Sequence, residues 1–148
     1  MEEELKNKRI LSLDYGTKTV GVAVCDEFHI TFTPLEVIRR NKPTKLRSTL
    51  ARIVELVSEQ NVALVVLGFP YNYDGSEGKR CEDTLVFKEM LEKKLSVPIE
   101  LFDERLTTVE AYEIMDSEGI DKIKQRELVD SYAAEVILRS FCAFHFSK

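Results

Sequence analysis

Cysteine is scarce: Cys25, Cys81 and Cys142 are an odd number, widely spread, with no CxxC pair among the 148 residues. That pattern argues against a disulfide framework or a cysteine-held zinc, and fits free thiols in a reducing compartment. Histidine is scarcer still. His29 falls in a strand-like stretch and His145 near the C-terminus, each without a second histidine, nucleophile or metal-spaced partner, so both read as structural. No serine or cysteine sits in a nucleophile motif, which removes support for covalent catalysis. No apolar run approaches membrane-spanning length, and residues 1–9 are charged without an apolar core of a signal sequence. Positive charge is also in deficit. A net charge of -5 and a pI near 5.2 give no global attraction to nucleic acid, so a polyanion has to be held by local basic patches or by bound metal. Repeats, low-complexity tracts and linkers are absent. With 44% hydrophobic residues, the chain suffices for one well-buried α/β domain, residues 1–148, of a cytoplasmic protein without a membrane partner.

What is present is organised around residues 10–24, two strands joined by a tight turn with Asp14 at the tip of the first. Three of the four residues Ile10–Leu13 are apolar, as in a central strand covered on both faces. Gly16 and Gly21 flank the turn and permit close approach of another chain, a metal or a phosphate. On this stretch alone, Asp14 as a site residue and Asp14 as an ordinary turn residue both stand.

Val20–Val24 reads as the second strand and His29–Thr33 as a third, with Pro34 ending or kinking it and Leu35–Ile38 continuing it at a sheet edge. Leu46, Leu50, Ile53, Val54 and Val57 recur at helical spacing over 44–60. The run Val62–Leu67 is a strand buried on both faces, and its helix-first approach implies a parallel crossover that places it beside the first strand. Phe69–Gly78 is a long loop at its C-terminal end, expected to be mobile and to border Asp14. A helix over Cys81–Leu95 and a short strand Pro98–Phe102 follow, with Asp103 and Glu104 at the strand's tip. Thr107-Thr108-Val109-Glu110 is a capping-box sequence, and Gly119 stops the helix it opens. Residues 120–125 read as a connection, and Arg126–Phe144 as a last helix whose apolar face includes Val129, Ala133, Val136, Ile137, Ser140 and Phe144. Asp130 lies near the inner edge of that face, an awkward place for a charge.

Asp14, Glu104 and Asp130 thereby share a geometric argument. Parallel strands bring Asp14 and Asp103-Glu104 to one C-terminal edge, where ligands bind in open α/β sheets, and Ala133 and Ala134 allow the helix carrying Asp130 to pack closely. Converging anions cost several kcal/mol to bury unpaired, so a positive group belongs among them. A hard divalent cation, magnesium first and manganese second, suits oxygen ligands and supports phosphoryl chemistry. Against this, Asp103 alone reads as a strand-ending carboxylate, Glu104 as a partner for Arg105 or Arg126, and Asp130 as a hydrogen-bond acceptor.

Leu13-Asp14-Tyr15-Gly16-Thr17-Lys18 with Gly21-Val22-Ala23, Gly68-Phe69-Pro70 with Asn72 and Asp74-Gly75-Ser76, Asp103-Glu104-Arg105-Leu106-Thr107-Thr108, and Asp130 with Ala133-Ala134 closely resemble the YqgF family. It is also called the RuvX or Holliday-junction-resolvase-like family, and its members are associated with pre-16S ribosomal RNA cleavage. The resemblance covers most of the chain in the right order and implies an RNase H-like α/β fold: a five-stranded mixed sheet, three antiparallel strands and then two parallel to the first, flanked by helices. It further implies a metal-dependent endonuclease with Asp14, Glu104 and Asp130 as catalytic residues and metal ligands for Mg2+ or Mn2+, and Lys18, Asn72, Tyr73, Lys79, Arg80 and Arg105 on the substrate. Phe69, Tyr71 and Tyr73 depart from the smaller residues common in the family. Tyr71 and Tyr73 suit stacking on unpaired bases, worth ~1–3 kcal/mol per base, or packing on their own domain. Lys79-Arg80, Arg39-Arg40-Lys42 and Lys122-Lys124-Arg126 suit phosphate contact or a solvated charged surface.

Two readings of different class follow. One is an endonuclease of structured nucleic acid, a ribosomal RNA precursor before branched DNA such as a Holliday junction, working as a monomer or weak homodimer. The other is a non-catalytic nucleic-acid or ribosome-assembly module. An actin-like ATPase, which shares the first-strand turn, needs a second lobe for which 148 residues leave no room.

Overall fold

A computed structural model describes residues 2–72, 74–104 and 107–146. In chain order the elements are α1 (Glu2–Leu5), β1 (Arg9–Tyr15), β2 (Thr19–Cys25), β3 (Phe32–Arg39), α2 (Arg47–Glu59), β4 (Val62–Phe69), α3 (Lys79–Glu92), β5 (Ile99–Asp103), α4 (Thr107–Ser117) and α5 (Lys122–Phe146). The sheet order is β3-β2-β1-β4-β5. β1, β2 and β3 pair antiparallel, whereas β4 runs parallel to β1 and β5 parallel to β4. The RNase H-like arrangement expected from the sequence is therefore the one observed, with β4 beside β1.

Strand alternation sorts the core into two faces. Leu11 and Leu13 of β1, with Val65 and Leu67 of β4, meet Leu50 and Ile53 of α2 and Phe87 and Leu91 of α3. Ile10, Leu64 and Val66 point the other way, to Ile137, Leu138 and Phe141 of α5. Each such side chain, fully withdrawn from water, contributes about 1.5–3 kcal/mol. Ser12 lies between them on the α5 face and donates its hydroxyl to the Ala134 carbonyl at 2.6 Å, so a buried polar group there is satisfied. α4 packs on the outside of α5 through Ala111, Met115, Tyr132 and Ala133. This second covering layer explains why α5 is buried continuously from Ser131 to Leu138 rather than along one stripe.

Several boundaries differ from the sequence expectations. β3 begins at Phe32, not His29, because the Asp26 carboxylate gathers the N–H groups of Phe28, Ile30 and Thr31 and folds 26–31 into a turn in which His29 has φ 58°. Pro34 sits inside this edge strand, next to the register shift opposite Val22/Ala23, where its missing N–H is tolerated. α3 opens at Lys79 rather than Cys81, and α5 at Lys122 rather than Arg126, since Asp121 accepts the Lys124 N–H at 3.0 Å and caps a first turn with little apolar character. Ser140 and Phe144, expected on the core face, are exposed; Phe144 is 75% accessible. The expected stop of α4 at Gly119 holds: φ is +75°, with Ile120 N–H on the Met115 carbonyl and Gly119 N–H on that of Asp116, both 3.1 Å.

Candidate active site

The positions of Asp14 and Glu104 follow from strand arithmetic. Residues 10, 12 and 14 of β1 face α5, as do 64, 66 and 68 of β4 and 100, 102 and then 104 beyond β5. The register Leu13↔Leu67↔Leu101 sets the three parallel strands side by side, so Asp14 and Glu104 reach the same edge of the sheet on the same face. Glu104 is tied there by its own N–H, which donates to the Phe69 carbonyl at 3.2 Å, and by its carbonyl, which accepts the Thr107 hydroxyl at 2.9 Å. Thr107 thus links the start of α4 to the strand tip.

Two glycines make the approach of these groups possible. Gly21 pairs with Asp14 across β1–β2, and a Cβ on Gly21 would overlap the Asp130 carbonyl; α5 crosses the sheet at this point with backbone against backbone. A Cβ on Gly68 would lie 2.7 Å from Ile137 Cδ1 and 3.0 Å from the Glu104 carboxyl carbon. Gly21 therefore determines how near Asp130 comes to Asp14, and Gly68 leaves the space that Glu104 fills. The close approach anticipated at Gly21 is that of another stretch of the same chain. Asp130 is oriented by Thr19, whose hydroxyl donates to its Oδ2 at 2.6 Å. The sequence offered no signal for this contact, which joins residues 111 apart.

Asp14 and Glu104 are both 8% exposed and lie within side-chain hydrogen-bonding reach of one another. Burial pushes the Asp14 carboxyl above its ordinary value, and the negative charge of Asp130 adds to this, while the hydrogen bond to Glu104 and the Arg80 charge oppose it. Burial, then the Asp14 charge, raise Glu104 in the same direction, with Arg80 again opposing. Glu104 Oε1 is buried without a hydrogen-bond partner. The three carboxylates line one open cleft of about 530 Å³, together with Pro70, Tyr71, Asn72, Lys79 and Arg80.

Asn72 stands on the loop after β4, its side chain donating to Ser76 Oγ at 3.0 Å, and that loop borders the carboxylates as expected. The loop begins after Phe69, which is buried as the last residue of β4 and meets Tyr71 edge-on at 4.7 Å. Lys79 and Arg80 open α3, where no side chain caps the helix. Lys18 is exposed on the β1–β2 turn and does not line the cleft; neither does Asp103, which pairs with Phe69 in the sheet. Lys122 pairs with Asp116 at 3.1 Å. Tyr73 and Arg105 lie outside the described residues. His29, stacked on Phe146 at 4.5 Å and hydrogen-bonded to the Lys8 carbonyl, is structural.

A mixed sheet with carboxylates at the tips of its parallel strands and a third on the helix behind is the architecture of an RNase H-like protein. RuvC of Thermus thermophilus, solved in complex with a Holliday junction substrate, superposes with a TM-score of 0.58 over 95% of this chain and 97% of its own at 14% identity, which bears on the fold alone. The chain belongs to the RuvX family, described as Holliday junction resolvase, whose sequence profile matches residues 8–143. A relative from Agathobacter rectalis named "Putative pre-16S rRNA nuclease" is 48% identical over 90% of this chain and 93% of its own length. A relative of the same name from Bacillus subtilis (strain 168) is 38% identical over 90% and 96%.

Proposed function

We propose that this protein is a metal-dependent endonuclease that hydrolyses phosphodiester bonds in structured nucleic acid, with a ribosomal RNA precursor as substrate, and that residues 1–148 act as one nuclease domain. The observation that carries the reading is the convergence of Asp14, Glu104 and Asp130 on one cleft, with Asp14 and Glu104 buried and Glu104 Oε1 left without a hydrogen-bond partner. The donor set is all oxygen, as hard divalent cations require. Among the described residues no group of three acidic or histidine side chains already stands at metal-binding spacing. Asp14, Glu104 and Asp130 would hold Mg2+ or Mn2+, which supplies Lewis acidity for attack of water on phosphorus. The chain's own groups do the rest: Arg80 and Lys79 place positive charge beside the carboxylates to orient a phosphate, Asn72 offers polar contacts from the loop, and no protein nucleophile is required.

The test is incubation of the purified protein with ribosomal RNA precursor and with four-way DNA junctions, each with Mg2+, Mn2+ or chelator. Cleavage of the precursor that chelator abolishes is the expected result. Cleavage restricted to the junction would support the second reading, a Holliday-junction resolvase, which the family description favours. Binding of either substrate without cleavage under all metal conditions would replace the enzyme by a ribosome-assembly or nucleic-acid-binding module.

A further inference from the structure

A second cleft of about 560 Å³ adjoins the acidic one, and Gly16, Lys79 and Arg80 line both. Its inner wall carries Arg40, which is 7% exposed. The guanidinium lies 5.0 Å from the centroid of the Tyr15 ring, and Tyr15 in turn stacks on Phe87 at 4.1 Å. Nη2 donates to the carbonyls of Gly16 at 2.7 Å and Thr17 at 2.6 Å, and Nε to that of Pro43 at 3.1 Å. Nη1 is buried with no partner. Among the described residues no carboxylate forms an ion pair with Arg40. A buried guanidinium with neither counter-ion nor a full set of acceptors is costly unless an anion completes it.

The surroundings supply that anion's other partners. Lys79 and Arg80 border the same space at the start of α3, a helix of 14 residues whose N-terminus has no side-chain cap and so presents its partial positive charge. Lys79 is shared with the exposed Asp83 at 3.2 Å, the one carboxylate lining this cleft. Arg39, the neighbour of Arg40 in sequence, points elsewhere and donates to the Glu127 carbonyl.

We propose that this second cleft, built by Arg40, Lys79, Arg80 and the N-terminus of α3, binds a backbone phosphate of the nucleic acid strand on one side of the bond being cut. The inference rests on the nuclease reading for the identity of the strand. The continuity of the two clefts at Gly16 and Arg80 gives a strand leaving the carboxylates a path into the cationic cleft, and so fixes its direction across the site. Such a contact positions the substrate without reading its sequence.

Two measurements test it. The first follows amide chemical shifts of the wild-type protein titrated with tripolyphosphate as probe; shifts at Thr17, Arg40 and Thr44, which line the second cleft and not the acidic one, are expected, and shifts confined to the acidic cleft or to other surfaces would overturn the site. The second measures binding of a ribosomal RNA hairpin in chelator across a salt series by wild type, Arg40→Gln, Lys79→Gln and, as a control cation outside the cleft, Arg39→Gln. Each cleft variant is expected to weaken binding by about 10-fold and to lower the steepness of log K against log [salt] by about 0.7–0.9 per lost contact, with Arg39→Gln unchanged. Because Arg40 also holds the β1–β2 turn and Lys79 borders the acidic cleft as well, the tripolyphosphate shifts at Thr17, Arg40 and Thr44 keep the test decisive if Arg40→Gln fails to fold. Equal affinity and slope for Lys79→Gln and wild type would overturn the proposal. Failure of wild type itself to bind RNA would count against the nuclease reading, and the tripolyphosphate titration then decides the cleft by itself.

Discussion

Asp14 carries two opposed demands. In the metal-free protein its charge is unwelcome, since burial and the neighbouring Asp130 both raise its carboxyl pKa, yet catalysis as proposed needs that charge as a ligand. Asp14→Asn keeps the shape, retains a donor for Glu104 and removes the repulsion. Cleavage in Mg2+ and Mn2+ is expected to fall by at least ~100-fold, as befits a direct ligand rather than a group behind one. Thermal unfolding in chelator should show a variant as stable as wild type or more so. A collapse of metal-free stability would instead mark Asp14 as a structural acceptor for the turn.

At the level of elements, the site depends on how closely α5 lies against β2. Gly21→Ala places a methyl group where the Asp130 carbonyl already is, and neither partner is a flexible side-chain end. The expected cost is about 1–3 kcal/mol of stability from overpacking, read by urea denaturation, together with loss of cleavage because Asp130 is displaced from Asp14. The β2–β3 turn offers a pH-dependent counterpart remote from the carboxylates. Slight desolvation pulls the Asp26 carboxyl up, but N–H bonds from Thr31, Ile30 and Phe28 outweigh it and hold the group below its ordinary value of 3.8. A pKa lowered on folding contributes stability that is present above the unfolded-state value and lost as pH falls through the folded-state value. The difference in unfolding free energy between wild type and Asp26→Asn should therefore be about 1 kcal/mol near neutrality, modest because the carboxylate is solvent-screened, and should shrink toward zero below pH 3.

For the molecule as a whole, a cation bound only by the folded chain links the site to global stability. At an ion concentration 100 times the dissociation constant, wild type is expected to gain about 2.7 kcal/mol, and Asp14→Asn much less. Thermal unfolding with increasing Mg2+ or Mn2+ measures both. An equal gain in the two proteins would locate the ion elsewhere on a surface of net charge -5.

The sequence by itself determined the order and type of every strand, the placement of Asp14 and Glu104 at strand tips, and the halt of α4 at Gly119, because apolar runs, alternation and glycine conformations are local properties of the chain. It also placed Asp130 on the sheet-facing side of the last helix, through the small residues Ala133 and Ala134. The tertiary structure alone decided that Phe144 is exposed, since a helix can keep its apolar period beyond the end of the surface it covers. It decided that residues 120–125 are largely helix, where one capping carboxylate outweighs a polar sequence. The separation of Arg39 from Arg40, one solvent-facing and one buried beside Tyr15, the union of Thr19 with Asp130, and the burial of Asp14 against Glu104 all join residues distant in sequence or divided by a turn. Their energies depend on burial and on distance through space, quantities that exist only once the sheet has closed against α5.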